Sequence, residues 1–249
     1  MAGIKQLIKQ SPIGHFAENV QDLFTRNGMY NRQTVQVMRR VLKSDSTCID
    51  IGAHVGSVLR EILTIAPQGK HYAFEPLPDL AEGLRHKFPN VTLFENALSD
   101  SPGQATFQHV TNAPAYSGLR KRVYEGAVQL QEITVDVVRL DDAIPQTAVI
   151  QLIKLDIEGG EYHALRGAVE TIQRDRPVIV LEASIGSTGQ YDVTPEMFYN
   201  LISDELNYKI ATMGNWLNNL PAYDRDSFIK NWHDGPEYYF IAVPIDREF

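Results

Sequence analysis

The sequence predicts an α/β fold with a mostly parallel central sheet and helices on both of its faces. Short apolar runs alternate with amphipathic stretches from residue 46 onward, which is typical of such a sheet. Two of the apolar runs end in glycine-containing turns, at the place where ligands bind in open parallel sheets. The 249 residues contain no internal repeat. We predict an N-terminal helical cap over residues 1–45 and one domain over residues 46–249.

The cap has the apolar spacing of two helices. Its apolar residues recur every three or four positions, so they share one face of each helix. The segment Arg26-Asn27-Gly28 predicts a break between the two helices, because glycine interrupts helical patterns. The helix-face residues are Phe16, Val20, Leu23 and Phe24 before the break, and Val35, Met38, Val41 and Leu42 after it.

The first half of the domain alternates regularly and is then interrupted. Its pattern predicts strands over 47–51, 71–74 and 91–94 and helices over 56–66 and 78–88. An insertion follows over about residues 104–140, where two extended stretches, 105–110 and 131–138, flank the polar segment Tyr116-Ser117-Gly118. We predict that the insertion is a hairpin over one end of the sheet, with residues 116–122 as a mobile lid.

The alternation resumes after the insertion. The pattern predicts strands over 149–155, 178–181, 208–212 and 238–243 and helices over 161–173 and 194–203. The last two strands are joined without a helix-length apolar pattern, so we expect the last strand to be antiparallel.

Composition excludes several classes of function. A net charge of −8 argues against nucleic acid as a partner, because binding phosphates requires a basic surface. The one basic cluster, Arg120-Lys121-Arg122, is interpreted as a solvated loop, with contact to an acidic substrate as the alternative. Cys48 is the only cysteine and lies in an apolar run, so we expect it in the core and expect no disulfide or cysteine-based zinc site.

No apolar run approaches the length of a membrane span, and no signal peptide pattern is visible. We therefore expect a cytoplasmic protein without a membrane span, and the sequence leaves homo-oligomerisation open.

The first motif, residues 48–57, is a buried strand that runs through a glycine turn into a helix. Gly52 allows close approach of a ligand, and Gly56 opens a helix whose free N–H groups favour anionic groups. The spacing differs from the Gly-x-Gly-x-x-Gly of dinucleotide-binding proteins. Asp50 also precedes the glycines, and a carboxylate there suits a ligand that carries an amino acid ammonium group.

Glu75 ends the second predicted strand, nineteen residues after Gly56. A carboxylate at that place can accept hydrogen bonds from both hydroxyls of a ribose. A glycine turn alone would indicate only a tight turn, but Asp50 and Glu75 together with the turn predict a nucleoside site.

The second motif, Lys154-Leu155-Asp156-Ile157-Glu158-Gly159, ends another buried strand. Together with Asp50-x-Gly52-x-x-x-Gly56, Phe74-Glu75-Pro76 and Asn96-Ala97-Leu98-Ser99-Asp100, it resembles the FkbM family of S-adenosylmethionine-dependent methyltransferases over residues 46–183. The resemblance implies the Rossmann-like class I methyltransferase fold, with S-adenosylmethionine as cofactor and a hydroxyl of a sugar or natural product as acceptor. The implied cofactor residues are Asp50, Gly52, Ala53, His54, Gly56, Ser57, Glu75, Asn96, Ala97 and Asp156, with Asn96 and Ala97 beside the adenine and Asp156 near the methyl group.

Methyl transfer to a hydroxyl requires a base for the proton of the acceptor. The candidates are Asp156, Glu182 at the end of the next strand, and His233 in a polar, aromatic segment predicted to be a loop. The plain alternative for Asp156 and Glu158 is a pair of solvated acids before a helix, and Lys154 could pair with either. Asp156 and Glu182 could also bind a divalent metal with Asn215 or another carboxylate, but the sequence fixes no third ligand, so we predict none.

Two other functions remain open at this point: a nucleotide-dependent oxidoreductase and a non-catalytic module that binds a nucleoside. The missing dinucleotide motif opposes the first, and the intact acids at Asp50, Glu75 and Asp156 oppose the second. The predicted function is O-methyl transfer to a small-molecule or glycan hydroxyl. Aromatic residues of the last third could form the acceptor wall or the core; they are Tyr191, Trp216, Tyr223, Trp232, Tyr238 and Tyr239.

Overall fold

The structure is a computed structural model that describes residues 25–124, 126–183, 188–235 and 237–247. The predicted helix around residues 16–24 lies outside the described residues. Helix α1 spans Arg26–Val41 and begins where the sequence predicted a break. The hydroxyl of Thr25 accepts the N–H of Gly28 at 3.0 Å, so this glycine lies in a capped first turn, where it interrupts nothing.

The first strands and helices lie within a few residues of their predicted positions, because each has a clear apolar period bounded by turn residues. They are β1 (Thr47–Ile51), α2 (Ser57–Ile65), β2 (Tyr72–Phe74), α3 (Pro78–Lys87) and β3 (Thr92–Phe94).

The predicted insertion contains a hairpin in a separate small sheet. Strand β4 is Ala97–Leu98, β5 is Gly103–Val110 and β6 is Leu130–Val138, and the sheet order is β4-β6-β5. Strands β5 and β6 pair antiparallel from Gly103↔Val137 to Val110↔Leu130. The polar segment between them includes a single 3₁₀ turn, Pro114–Tyr116.

The second half alternates as predicted, with more helices than expected. Its elements are α4 (Leu140–Ala143), β7 (Ile150–Leu155), α5 (Glu161–Arg166), α6 (Val169–Asp175), β8 (Val178–Glu182), α7 (Pro195–Asn200, continued by a wider turn over Leu201–Glu205), β9 (Tyr208–Thr212), α8 (Met213–Leu217), α9 (Arg225–Asp234) and β10 (Tyr239–Pro244).

Two predictions for this half were wrong. The single helix over 161–173 is interrupted at Gly167, where a Cβ would lie 2.4 Å from the carbonyl oxygen of Ser99, so the chain bends as it passes that loop. Strands β9 and β10 are joined by α8 and α9, although no helix was expected there. Helix α9 has a weak apolar pattern, because it buries only Phe228 and Trp232.

The central sheet has seven strands in the order β3-β2-β1-β7-β8-β10-β9. The first five of these pair parallel, and β10 runs antiparallel to both of its neighbours, as predicted for the last strand. Strands β1, β7 and β8 are buried on both faces, and Cys48 lies in the core with no exposed surface. None of the described helices is long and apolar enough to cross a membrane.

Candidate active site

A cavity of about 650 Å³ lies at the carboxyl ends of the parallel strands, where an open α/β sheet binds its ligands. Its floor is formed by the residues that follow β1, β2, β7 and β8. Because β10 is antiparallel, its first residues reach the same edge, and Tyr239 pairs directly with Glu182. Helix α1 and the segment between β5 and β6 also line the cavity, among others with Asn27, Tyr30, Asn31 and Tyr116.

The glycine turn after β1 is packed tightly against the end of β7. Gly52 has φ +78°, and a Cβ there would lie 1.9 Å from the carbonyl oxygen of Asp156. Its N–H donates to the carbonyl oxygen of Phe74 at 3.0 Å. Gly56 caps α2 with φ +79°, and a Cβ there would meet the ring of Phe88 at 2.2 Å. Both positions therefore require glycine for protein packing as well as for approach of a ligand.

Glu75 faces the glycine turn from the end of β2. Its carboxylate accepts the N–H of His54 at 2.8 Å and the N–H of Leu77 at 3.0 Å, one on each oxygen. Burial raises the pKa of Glu75 above its usual value, and these two hydrogen bonds act against that rise. Since each carboxylate oxygen has a second lone pair, the group can still accept hydrogen bonds from two hydroxyl groups of a ligand.

We expect Glu75→Ala to weaken binding of S-adenosylhomocysteine about tenfold or more, because a charge-assisted hydrogen bond contributes roughly 1.5–3 kcal/mol. Calorimetric titration measures this affinity directly. Glu95→Ala, which removes a surface carboxylate paired with Arg85, is the matched control and should bind normally. Unchanged affinity in a folded Glu75→Ala variant would remove Glu75 from the cofactor site.

Asp50 does not line the cavity. Its side chain has no exposed surface, and neither carboxylate oxygen has a hydrogen-bond partner among the described residues. Burial raises the pKa of Asp50 to about 6. Contact of Asp50 with a ligand ammonium group stays a prediction, and in this structure the charge nearest to its carboxylate is Lys154.

Lys154 connects the two motifs. Its ammonium nitrogen lies 3.3 Å from Oδ2 of Asp156 and 3.8 Å from Oδ1 of Asp50, and it donates to the carbonyl oxygen of Gly52 at 3.4 Å. Burial alone would lower the pKa of Lys154, but the two carboxylates raise it above its usual value. The sequence left its partner open between Asp156 and Glu158, and the structure pairs it with Asp156 and Asp50.

Asp156 follows β7, and the side chains of Glu182 at the end of β8 and of Tyr239 at the start of β10 lie next to it. The hydroxyl of Tyr239 donates to Oδ2 of Asp156, and the carboxyl group of Glu182 hydrogen bonds to the same residue. Burial would raise the pKa of Asp156, but Lys154 and these hydrogen bonds hold it below its usual value. Burial and the neighbouring Asp156 raise the pKa of Glu182 well above its usual value, so the two carboxyl groups titrate as a pair.

Glu158 is the third carboxylate of this group. One oxygen of Asp156, Glu158 and Glu182 lies within 4.8 Å of the others, close enough to hold a metal ion. Two cations already pair with the group, Lys154 with Asp156 and Arg122 with Glu158, and an ion would compete with both. Asn215, which the sequence offered as a third ligand, lies in the first turn of α8, where its backbone N–H donates to the hydroxyl of the capping Thr212, and it does not line the cavity. Metal independence stays a prediction.

The basic cluster and the predicted lid are only partly solvated. Arg120 and Lys121 are exposed, but the guanidinium of Arg122 lies 5.5 Å from the ring centre of Tyr116 and lines the cavity. The N–H of Gln108 donates to the carbonyl oxygen of Gly118 at 2.8 Å, which ties this segment to β5. The segment thus lies along the cavity as predicted, and its mobility stays a prediction.

The predicted site residues divide into two groups. The first group does not line the cavity. His233 lies in the exposed last turn of α9, so the loop predicted for it was wrong. Gly56 is the N-cap of α2, and Asp50 is buried. The predicted residues that line the cavity are Gly52, Ala53, His54, Ser57, Glu75, Asn96, Ala97, Asp156 and Glu182. Asn31 and Tyr30 were not identified from the sequence, because they belong to no motif. For Tyr239 the sequence left two interpretations open, a core residue or a residue that contacts the acceptor.

Glu161 adds a buried carboxylate outside the cavity. It begins α5 with no exposed surface and accepts the N–H of Ile157 at 2.8 Å. Burial raises the pKa of Glu161 from 4.5 to about 7. Because its pKa is higher in the folded state, its stabilising contribution is complete below pH 4.5 and is lost as the pH rises through about 7.

We expect the free energy of unfolding to fall by roughly 1–3 kcal/mol over that pH range through Glu161. The Glu161→Gln variant, which keeps the acceptor for Ile157, should lose that part of the pH dependence. Urea unfolding at several pH values measures it. Glu170→Gln, at a largely exposed carboxylate, should follow the wild type, and an identical slope in the Glu161→Gln protein would contradict the assignment.

The strand order, the antiparallel β10 and the glycine turn facing Glu75 define a Rossmann-like methyltransferase fold. Two solved structures share it at a TM-score of 0.50. One is the methyltransferase FkbM from Methylobacillus flagellatus, with 16% identity over 81% of this chain and 44% of that chain. The other is a putative rRNA methylase from Clostridium thermocellum, with 9% identity over 87% of this chain and 96% of that chain.

The methyltransferase FkbM domain matches residues 50–210, and the chain belongs to this family of S-adenosylmethionine-dependent methyltransferases. The 2-O-methyltransferase NoeI of Sinorhizobium fredii is 29% identical over 184 residues, which cover 67% of this chain and 74% of the relative. The hexuronic acid methyltransferase AglP of Haloferax volcanii is 24% identical, over 66% and 67% of the two chains. Family membership confirms the predicted family and cofactor and sets the oxidoreductase aside.

Proposed function

We propose that this protein transfers a methyl group from S-adenosylmethionine to a hydroxyl of a sugar or hydroxylated natural product. The observation that carries the proposal is the ionised Asp156, held by Lys154 and Tyr239 in the cavity. The names of NoeI and AglP, a 2-O-methyltransferase and a hexuronic acid methyltransferase, support a sugar hydroxyl.

The residues around the glycine turn fit the cofactor. Glu75 has acceptor capacity for the ribose hydroxyls, and Gly52, Asn96 and Ala97 line the same cavity. When bound, the cofactor supplies a methyl group on a positively charged sulfur.

Asp156 acts as the base in this proposal. As the acceptor oxygen bonds to the methyl carbon, the carbon–sulfur bond breaks and the hydroxyl proton passes to the carboxylate of Asp156. Burial and Asp156 raise the pKa of the neighbouring Glu182 well above its usual value, which leaves Asp156 as the more readily ionised carboxyl group of the pair. Lys154 keeps Asp156 ionised at neutral pH.

A screen for transfer of a tritiated methyl group to glycans and small hydroxylated metabolites tests the function. The product should be a methyl ether, identified by NMR spectroscopy. A product methylated on nitrogen or carbon would contradict O-methyl transfer. A protein that binds S-adenosylhomocysteine but methylates no acceptor would instead support the non-catalytic module.

A further inference from the structure

The cavity extends well beyond the residues that fit the cofactor. The ends of β1 and β2 lie on one side of Asp156, and the end of β8 and the start of β10 lie on the other, because the sheet order is β2-β1-β7-β8-β10. The second half of the cavity is closed by helix α1. The following inference rests on the proposed function and concerns this second half, where the acceptor has to lie.

Helix α1 presents two amide side chains to the cavity. Asn31 is exposed and lines the cavity, and its side chain has no hydrogen bond with any described residue. Asn27 lies one turn earlier, and its Oδ1 accepts the hydroxyl of Tyr238 at 2.5 Å, which leaves its NH₂ group for another partner. An amide donates and accepts at the same place, so this pair suits a ligand with several hydroxyl groups.

Helix α1, which carries the two amides, packs against the first residues of β10. Tyr30 of α1 packs edge-on against Tyr238 with ring centres 4.8 Å apart, and lies 5.1 Å from Tyr239. Its hydroxyl donates to Oε2 of Glu237 at 2.6 Å. Tyr239 in turn donates a hydrogen bond to Asp156. Packed side chains therefore connect α1, which carries Asn31, to the proposed base.

The chemistry of this wall points to a neutral ring that carries neighbouring hydroxyls. Tyr238 and Tyr116 offer aromatic surface to the C–H face of such a ring, and Tyr116 is half exposed. Among the described residues that line the cavity, the charges of Arg122 and Lys154 are paired with Glu158 and Asp156.

We propose that Asn31 and Asn27 of α1, together with Tyr238 of β10, form the acceptor subsite and bind the hydroxyls of a pyranose next to the one that is methylated. Both elements lie outside residues 50–210, the part of the chain that matches the family model.

The test uses the full chain saturated with S-adenosylhomocysteine and saturation-transfer NMR with defined probes. The probes are the methyl glycosides of glucose, galactose and mannose, with cyclohexanol as a ring that has no neighbouring hydroxyl. At least one glycoside should receive saturation and cyclohexanol should not. Asn31→Ala should weaken that glycoside roughly three- to tenfold, as expected for one or two neutral hydrogen bonds, with unchanged affinity for S-adenosylhomocysteine.

Gln36→Ala is the matched control, since it removes an exposed amide of the same helix that does not line the cavity. It should bind both ligands like the wild type. Asn31→Asp, nearly isosteric but without the NH₂ donor, should also weaken the glycoside and covers the case in which the alanine variant misfolds.

Glycoside affinity that is unchanged in both Asn31 variants overturns the inference. So does binding of none of the glycosides by a protein that binds S-adenosylhomocysteine, and methyl transfer to a non-sugar hydroxyl would then leave the proposed function intact. Failure to bind S-adenosylhomocysteine would count against the proposed function itself.

Discussion

Asp156→Asn is expected to lower the turnover number by about two orders of magnitude or more, since a positioned base contributes typically 10²–10⁴-fold. The asparagine keeps the size of the side chain and an acceptor for the hydroxyl of Tyr239, but it has no basic oxygen for the acceptor proton. Affinity for S-adenosylhomocysteine should change far less. Steady-state kinetics on an acceptor found in the methyl-transfer screen, with calorimetry on the cofactor product, measures both quantities.

Glu182→Gln is the matched variant for this prediction. Burial and Asp156 raise the pKa of Glu182 well above its usual value, and glutamine is a neutral side chain of the same size, so turnover of this variant at neutral pH should remain close to that of the wild type. Equal losses in both variants would show that Glu182 takes part in removing the proton. Loss of cofactor binding in Asp156→Asn would make Asp156 a cofactor contact.

Chelation tests the metal-free form of the same mechanism. Turnover of the wild type should be unchanged by EDTA, because Lys154 and Arg122 already balance two of the three carboxylates. Loss of activity in EDTA that a divalent ion restores would identify Asp156, Glu158 and Glu182 as metal ligands.

Gly52→Ala is expected to destabilise the fold by roughly 2–5 kcal/mol and to abolish cofactor binding, because it combines backbone strain with overpacking. The new Cβ would lie 1.9 Å from the carbonyl oxygen of Asp156, which is backbone and cannot rotate away. To relieve the clash, the ends of β1 and β7 have to separate, and this moves Asp156 relative to the glycine turn. Urea unfolding and titration with S-adenosylhomocysteine measure the two losses.

Gly103→Ala separates the two causes. Gly103 also has positive φ, +143°, but a Cβ there would meet nothing within 4 Å. Its variant should therefore show only the cost of the backbone conformation, on the order of 1–2 kcal/mol, with normal cofactor binding. Equal destabilisation in both variants would mean that the contact with Asp156 contributes nothing.

Much of the cofactor half of the cavity could be predicted from local sequence. The turn at Gly52 and Gly56 follows directly from a buried strand, and Glu75 ends the next strand, so two adjacent parallel strands bring these residues to one edge. The antiparallel last strand was also predicted correctly, whereas α9 was missed because only Phe228 and Trp232 mark its buried face. The division into a cap and a domain at residue 45 stays a prediction.

The sequence by itself determined the family, the cofactor and the strand-turn-helix units, because each motif and each unit consists of residues that are close together in the chain. Only the tertiary structure decided which charges meet: Lys154 between Asp50 and Asp156, Glu182 and Tyr239 on Asp156, and α1 against β10. These contacts depend on strand order and register between distant segments, and protonation depends on burial, which no local pattern encodes. For that reason the base stayed open in the sequence, whereas in the folded chain the pKa of Asp156 is lowered and that of Glu182 is raised.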